Sequence, residues 1–424
     1  MSQSEFTAYV AIDWADRKHY WQLADADGQH GEHGHLLNTP EAIDSWVAGL
    51  LARFSDGPVA VCLEQSRGSL VYQLGKYAQL VLFPVHPAAM ASFRQAFFPS
   101  GAKGDPSDAG LLLEMLLHHR HRLRRLEPDT AETRLLGMLI ELRRRLVDER
   151  TRESNRLTAW LKMYFPQSLN WIDNIDSPLG CDFLDRWPTL QQLQRAHAET
   201  IERFFREHNS RSQARIDERM EAICKAVPAV QDTAILQAGA AATSSLVALL
   251  KALNGAIASV DPLIAQQVAQ HPEACLFAEL PGAGPVLLPR LIVAFGTRRE
   301  RFQSASELAA YSGIAPVTKQ SGKSKSVHFR FACPKFLRQT FHEFAAHSIA
   351  RSQWARQFYQ LLRDRGMGHH AAVRALAFKW IRVLFRCWQD RTPYDEARYL
   401  QALEQRRALR NSTPESTPAA ERGD

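Results

Sequence analysis

Two periods of hydrophobic and polar residues succeed one another along this chain, and the change between them divides it. The first hundred residues carry short runs. Tyr9, Val10, Ala11 and Ile12 form an apolar strand that ends on Asp13. His19 to Ala26 and His33 to Leu37 follow as two more strands, with Asp27-Gly28 as a turn between them. From Thr39-Pro40-Glu41 onward, Ile43, Trp46, Val47, Leu50 and Leu51 recur at helical spacing, with Pro40 suited to the first turn. Val59 to Leu63 is a wholly apolar strand ending on Glu64. Ser69 to Tyr77 reads as a helix, Leu80 to Val85 as a further strand, and His86-Pro87 opens a helix that ends near Phe98.

Beyond Glu132 the helical period dominates. Leu135, Leu139, Leu142 and Leu146, then Leu157, Trp160 and Tyr164, mark one long helix with a narrow seam. Leu246, Leu249, Leu253, Ile257 and Val260 mark another within Ala234 to Val260. Two such seams suit a coiled coil, antiparallel or between chains, and equally a helical bundle inside one chain.

Three antiparallel strands followed by helix, strand, helix, strand, helix is the layout of a ribonuclease H-like (RuvC-like) α/β domain. The expected fold class is therefore α/β plus α. An RNase H-like domain spans 1–126, a central long-helix, coiled-coil region 127–275, and a mostly helical C-terminal domain with a helix-hairpin-helix-like motif 276–404. A polar tail rich in Ser, Thr and Pro, 405–424, is expected to be disordered.

In that layout the first and fourth strands are neighbours, so Asp13 and Glu64 meet at one sheet edge. A carboxylate closing an apolar run is costly to bury without a cation beside it. Gly101 to Ala109, GAKGDPSDA, supplies two further acids: Asp105 just before Pro106, and Asp108 three residues later on the same side of a helical turn. Four such acids suit one or two hard cations, Mg²⁺ first among them. Taken singly, Asp105 reads equally as a helix cap and Glu64 as a solvated strand end; the joint pattern carries the expectation. His30, His33 and His35 fall in a polar turn and read as an exposed hairpin rather than a metal site.

The C-terminal third offers a second chemistry. Leu280-Pro-Gly-Ala-Gly-Pro285, followed by Val286 to Phe295, has the form of a helix-hairpin-helix, in which Gly282 and Gly284 would let backbone N–H groups approach a phosphate; Arg290, Arg298, Arg299 and Arg301 lie nearby. Lys319 to Ser326, KQSGKSKS, reads as a basic loop. Its serines stand among Lys319, Lys323 and Lys325, with Arg330 just beyond, cations that bind phosphate and ease the ionisation of a hydroxyl.

Length, charge and cysteines then narrow the class. At 424 residues the chain calls for two or three domains. The net charge of +7 is modest, but the cations cluster at Arg120 to Arg125, Arg143 to Arg156 and Lys319 to Arg338, which suits a polyanion, or else a solvated helix face. Six scattered cysteines without a CxxC pair argue against a zinc ribbon or a disulfide framework. No secretory signal is visible, and the most apolar stretch, Leu236 to Val260, carries Thr243, Ser244, Ser245, Lys251 and Asn254. A soluble cytoplasmic protein without a membrane partner is expected.

AIDWADRKHYWQL around Asp13, CLEQS around Glu64, KGDPSDA from Lys103, ELPGAGPVLLPRLIVAFG and FQSASELAAYSGIAPVTKQSGKS together resemble the DEDD transposases of bacterial insertion sequences, a family of bridge-RNA-guided serine recombinases. The resemblance implies that Asp13, Glu64, Asp105 and Asp108 hold Mg²⁺, as a two-ion site if both positions fill. It implies that Ser321 attacks DNA and forms a covalent phosphoserine. The chain departs from the commoner Ser-Ser-Gly-Gly pattern with Gln320-Ser321-Gly322-Lys323, so Ser324 and Ser326 remain alternatives. Further implications are donor and target DNA as partners, a structured guide RNA, a homo-oligomer (dimer or tetramer) with composite active sites assembled by the coiled coil, and association with the bacterial nucleoid when active. Two rivals stand beside this reading: an Mg-dependent RuvC-like junction-resolving nuclease without a covalent intermediate, and a non-catalytic nucleic-acid-binding protein.

Overall fold

A computed structural model describes residues 5–29, 31–55, 57–97, 104–208, 212–322 and 324–412. The chain forms two compact units, Met1–Pro128 and Asp129–Asp424.

The first unit is a five-stranded sheet in the order β3-β2-β1-β4-β5. Its strands are β1 (Ala8–Asp13), β2 (Lys18–Asp25), β3 (Glu32–Leu37), β4 (Val59–Leu63) and β5 (Leu80–Pro84). β1, β2 and β3 are antiparallel neighbours, whereas β4 lies parallel to β1 and β5 parallel to β4. Helices α1 (Pro40–Arg53), α2 (Ser69–Leu74), α3 (Pro87–Phe97) and α4 (Asp105–His119) complete it. Alternation along β1 explains the layers. Ala8, Val10 and Ile12 bury against Ile43, Val47 and Leu50 of α1 and Leu70 and Leu74 of α2. Tyr9 and Ala11 bury on the opposite face with Leu111, Leu112, Met115 and Leu116 of α4. A sheet covered on both faces needs strands without polar gaps, as the all-buried Val59-Ala-Val-Cys-Leu63 illustrates. Thr39 caps α1 by accepting from the Ala42 N–H at 3.3 Å. This mixed α/β sheet, with the mostly helical region that follows it, fits a DEDD, ribonuclease H-like architecture.

The second unit is helical apart from one hairpin. Its frame is α5 (Ala131–Tyr164) and, after the short helices α6 (Ser168–Trp171), α7 (Pro178–Arg186), α8 (Leu190–Gln194), α9 (Ala198–Glu207) and α10 (Gln213–Lys225), the long α11 (Thr233–Gln270). Thr133 meets His271, Arg143 meets Asp261, Arg150 meets Asn254 and Tyr164 meets Thr243, so α5 and α11 run antiparallel along their length within one chain. The buried row of α5 is Thr133, Leu136, Ile140, Glu153, Leu157, Leu161 and Tyr164. The expected seam holds at Leu157, Tyr164, Ile257 and Val260, which are buried, and is displaced by one position elsewhere: Leu135 and Leu142 are exposed, and on α11 Val247 and Leu250 are buried while Leu249 is exposed. On α5 a third helix bears on this: Gly137 abuts Val293 of α13 (Gly284–Phe295), and Leu136 and Ile140 bury in the cluster that α13 shares.

α11 is long and apolar enough to cross a membrane by length and composition alone. Its polar residues have intrachain partners instead. Thr243 bonds Tyr164 at 2.7 Å, Asn254 bonds Arg150 at 3.3 Å, and Lys251 bridges Asp182 and Asp185.

One apolar cluster joins the far halves of α5 and α11 to α6–α10. Another joins their near halves to α12 (Ala274–Phe277), α13, α14 (Ala305–Tyr311), α15 (Lys335–Arg351), α16 (Gln353–Asp364) and α17 (His369–Gln389). No break in packing falls at 275, because Leu136, Ile140, Val260 and Ile264 share a cluster with Leu276 to Tyr394. The hairpin pairs β6 (Val317–Ser321) with β7 (Ser324–His328), where sequence suggested a loop. The last helix, α18 (Glu396–Ser412), continues past 405, where disorder was expected; residues 413–424 lie outside the described residues.

Candidate active site

The carboxylate end of the sheet follows from strand register. The last parallel pair between β1 and β4 is Ile12 with Leu63, so Asp13 and Glu64 are the next residues out of two neighbouring strands, which run about 4.8 Å apart. Asp13 shares the α4-covered face with Tyr9 and Ala11, and Glu64 continues the alternation of Ala60 and Cys62 on that face. Both are half-buried.

α4 brings the other two acids. Gln22, opposite Ala11 in the β1–β2 register, donates to the Pro106 carbonyl at 2.9 Å. At the other end of α4, Leu117 lies beside Gly28, in the turn beyond β2. The helix therefore runs antiparallel to β1, with its first turn toward Asp13. Gly104, not Asp105, occupies the cap, so Asp105 is the first helical residue and is exposed. Asp108 is buried, and its Oδ1 accepts from Arg94 of α3 at 2.6 Å. A buried carboxylate needs such a counter-charge. Among the described residues, no three of His, Cys, Asp and Glu come close enough to hold a metal ion. The all-oxygen donor set suits a hard cation in its chemistry, while Arg94 supplies the positive charge beside Asp108. Lys103, part of the same motif, lies outside the described residues.

Two residues here were not singled out from sequence. Arg94 was unremarkable in a helix of mixed composition, since only the packing of α3 on α4 pairs it with Asp108. His19 is fully buried, and its Nδ1 accepts the Ala15 N–H at 3.1 Å, fixing the turn that follows Asp13. Burial holds its pKa below the ordinary histidine value.

The serine hairpin is open by comparison. Ser321 and Ser324 are directly paired across the turn at Gly322, whose φ of 53° leaves open space where a Cβ would stand. Lys319 pairs with Ser326 and Val317 with His328, so Ser321, Ser324, Ser326, Lys319 and His328 share one face. Ser321, Ser324, Ser326 and Lys319 are exposed. Ser326 Oγ and His328 Nε2 stand 2.8 Å apart, a partner legible in the Ser-x-His spacing once the segment is a strand. Lys323 lies outside the described residues, as does the side chain of Lys325. Arg330, just past the hairpin, is half-buried, with its Nε lacking a hydrogen-bond partner.

The arginines around the glycine turn have other work. Arg290 is buried, paired with Glu343 and bonded to Thr340 at 3.1 Å, so it is not an accessible phosphate ligand. Arg299 is half-buried, paired with Glu273 at 2.7 Å and stacked over Trp388. Arg301 donates to the Val293 and Phe295 carbonyls at the end of α13, and burial lowers its pKa. A Cβ on Gly282 (φ 86°) would meet the His347 backbone of α15 at 2.9 Å, so that glycine serves helix packing. Gly284 (φ 54°) faces open space, and the helix before the turn, α12, is a single turn long.

Ion pairing sorts the basic clusters similarly. Arg143, Arg145, Arg150, Arg152 and Arg156 pair with Asp261, Glu141, Asp176, Glu149 and Glu153, and Arg120 and Arg125 share Glu5.

Comparison with known proteins finds matches in the N-terminal and C-terminal parts of the chain. Residues 10–166 match the DEDD transposase family of IS110, and residues 274–360 match the transposase family IS116/IS110/IS902. The chain is similar to the IS117 mini-circle protein of Streptomyces coelicolor, which carries the name of a transposase, at 28% identity over 94% of this chain and 98% of that protein. It is 27% identical to a 43.6 kDa protein of insertion element IS110 from the same organism, over 91% and 95% of the two chains. Over 34% of its length it is 31% identical to the pilin gene-inverting protein of Moraxella bovis, covering 46% of that protein. The chain belongs to the IS116/IS110/IS902 family of transposases.

Proposed function

We propose that the chain cuts and rejoins the DNA strands of an insertion sequence, using the carboxylates Asp13, Glu64, Asp105 and Asp108 and a serine of the β6–β7 hairpin, Ser321 first. The observation that carries this is the strand register: Asp13 and Glu64 leave adjacent parallel strands at the end toward which α4 directs its first turn. Mg²⁺ bound by these acids would offset charge growing on a scissile phosphate. Asp13 and Glu64, fixed by the sheet, would orient it, with Asp105 reaching from the exposed first turn and Asp108 released in part from Arg94. Ser321 Oγ forms a bond to phosphorus as one phosphorus–deoxyribose oxygen bond breaks; the serine proton leaves to base and the departing oxygen is protonated. The phosphoserine keeps the energy of the phosphodiester, so rejoining requires no nucleotide. The 2.8 Å contact between Ser326 and His328 favours a second assignment, in which Ser326 is the nucleophile and His328 takes its proton.

A structured RNA pairing with donor and target would supply sequence choice, which accords with cations that lack a base-reading motif. Leu135, Met138 and Leu142 on α5, with Leu263 of α11 level with Leu142 in the antiparallel register, leave apolar surface outside the helix pair; this supports assembly through that pair into a dimer or tetramer with composite sites. The setting would be the bacterial cytoplasm, on nucleoid DNA.

The test is to incubate the full chain with donor and target DNA, Mg²⁺ and RNA transcribed from the non-coding flank of its reading frame, then to map any covalent adduct by peptide mass spectrometry. A phosphoserine at 321, lost in Ser321→Ala, is expected. An adduct at 326 selects the second assignment. Strand cleavage without an adduct selects a junction-resolving nuclease, and no cleavage under these conditions a non-catalytic binder.

A further inference from the structure

Phe331 is 81% exposed, more than any other large apolar side chain among the described residues. It closes the sequence His328-Phe329-Arg330-Phe331 at the root of the serine hairpin. Its position is held, not loose. The Phe329 ring stands edge-on to it, with centroids 5.1 Å apart. Phe329 is in turn flanked by the guanidinium groups of Arg338 on α15, at 4.9 Å, and Arg374 on α17, at 5.2 Å. The backbone is pinned as well. Cys333 packs so closely on Gly313 that a Cβ there would lie 2.3 Å from its sulfur, and Arg338 donates to the Arg330 carbonyl at 3.5 Å.

An aromatic ring presented to water and buttressed by a second ring, with three arginines within a few residues or in contact, has the composition of a nucleobase platform. The ring offers a face to any base, and the guanidinium groups offer charge to the phosphates on either side. A protein partner would be expected to meet a broader apolar surface, and a membrane several such side chains together; here one ring stands among cations. We infer that Phe331 stacks on, or wedges beside, a base of the DNA strand whose phosphate the hairpin serine attacks, with Phe329 as its support and Arg330, Arg338 and Arg374 as phosphate contacts.

This assignment rests on the recombinase reading above and adds a distance to it. From the Ser321–Ser324 pair to the Val317–His328 pair is four residues of strand, about 13 Å. At about 3.4 Å per base step, the base that Phe331 meets lies about four steps or more from the cut.

The test separates stacking from chemistry by using the full chain carrying Ser321→Ala, bound to a DNA duplex that spans the end of the element, with 2-aminopurine placed singly at successive positions beside the junction. A fluorescence change confined to one or two positions about four steps or more from the junction is expected. Phe331→Ala should abolish it and weaken binding roughly tenfold, while Phe331→Trp should retain both. Equal thermal unfolding of the three proteins excludes a folding defect. An unchanged fluorescence profile in Phe331→Ala overturns the inference, and so does a response only when 2-aminopurine is placed in the RNA. Because the readout involves no cleavage, it stands even if Ser326 proves to be the nucleophile, and it fails independently of the carboxylates.

Discussion

The acid end of the N-terminal sheet and the serine hairpin are built on opposite principles. Asp13 and Glu64 are fixed by the ends of buried strands, and Asp108 is buried beneath an ion pair, so the carboxylates are positioned by a core that would have to unfold to move them. The hairpin has two strands and exposed serines on one face, and among the described residues it has no apolar cluster of its own. A charge-bearing site gains from rigid placement, because preorganised groups need no rearrangement as charge develops. If the hairpin serine acts as proposed, it must reach, hold and then release a strand, and such a group is better carried on an element free to adjust.

The largest effect that would break this comparison comes from the acids. Asp13→Asn should reduce strand cleavage by about 10³-fold or more while leaving the unfolding temperature nearly unchanged, whereas Asp105→Asn, at an exposed first turn, should cost less. Cleavage rates with saturating Mg²⁺ would decide it. Equal losses at the two positions would mean that strand-end rigidity is not what matters.

Next in size is Arg94→Met. It strands Asp108 as a buried lone carboxylate, at a cost of about 3–5 kcal/mol. Arg94→Met with Asp108→Leu should recover most of that loss. If Arg94 occupies the place that Mg²⁺ takes when bound, adding Mg²⁺ should raise the unfolding midpoint of Arg94→Met more than that of the unaltered chain. Urea titration with and without Mg²⁺ measures both.

A smaller effect separates the two glycines of the C-terminal turn. Gly282→Ala combines a left-handed backbone with a collision against the His347 main chain, and should cost about 2–3 kcal/mol. Gly284→Ala meets open space and should cost about 1 kcal/mol. If the turn also contacts phosphate, only Gly284→Ala should lower DNA affinity beyond its effect on stability.

What the sequence disclosed follows the same division. β1 and β4 were legible because a sheet covered on both faces leaves no room for polar residues, and their closing acids stand out against that background. The pairing of Arg94 with Asp108 was not, because it depends on how α3 meets α4. Only the first half of the α5 seam was displaced, because apolar residues at 135, 136, 139, 140, 142 and 146 make a stripe wider than one contact needs, and the α13 contact at Gly137 selects among them; Leu157 and Tyr164 bury as expected. Arg290 illustrates the general failure: an arginine beside a glycine turn is the same letter whether it meets phosphate or, as here, Glu343. The hairpin was missed as strands because Lys, Gln, Ser and Gly signal a turn, while the pairing partners Val317-Thr318 and Val327-His328 lie at its edges.

The smallest predicted effect distinguishes the two regions by pH. His19 and His271 each use Nδ1 to accept a backbone N–H, from Ala15 and Glu273, and burial lowers both pKa values. Burial does the same to His342. In each case the folded state holds the neutral ring while the unfolded chain protonates near 6.5, so stability is complete above that pH and falls as the pH drops below it. His208, whose pKa is raised by Asp182 and the Phe204 carbonyl against the effect of burial, acts in the opposite sense and offsets one of the three. The loss cannot exceed about 1.4 kcal/mol per pH unit for each group. Hydrogen exchange at pH 7.5 and 5.5, corrected for intrinsic rates, should show protection falling around residues 13–19, where His19 ties the turn after Asp13, and unchanged across 317–328. His19→Gln should remove the pH dependence of the first segment alone. A uniform loss across both would mean that the acid end is no more tightly coupled to its core than the hairpin is.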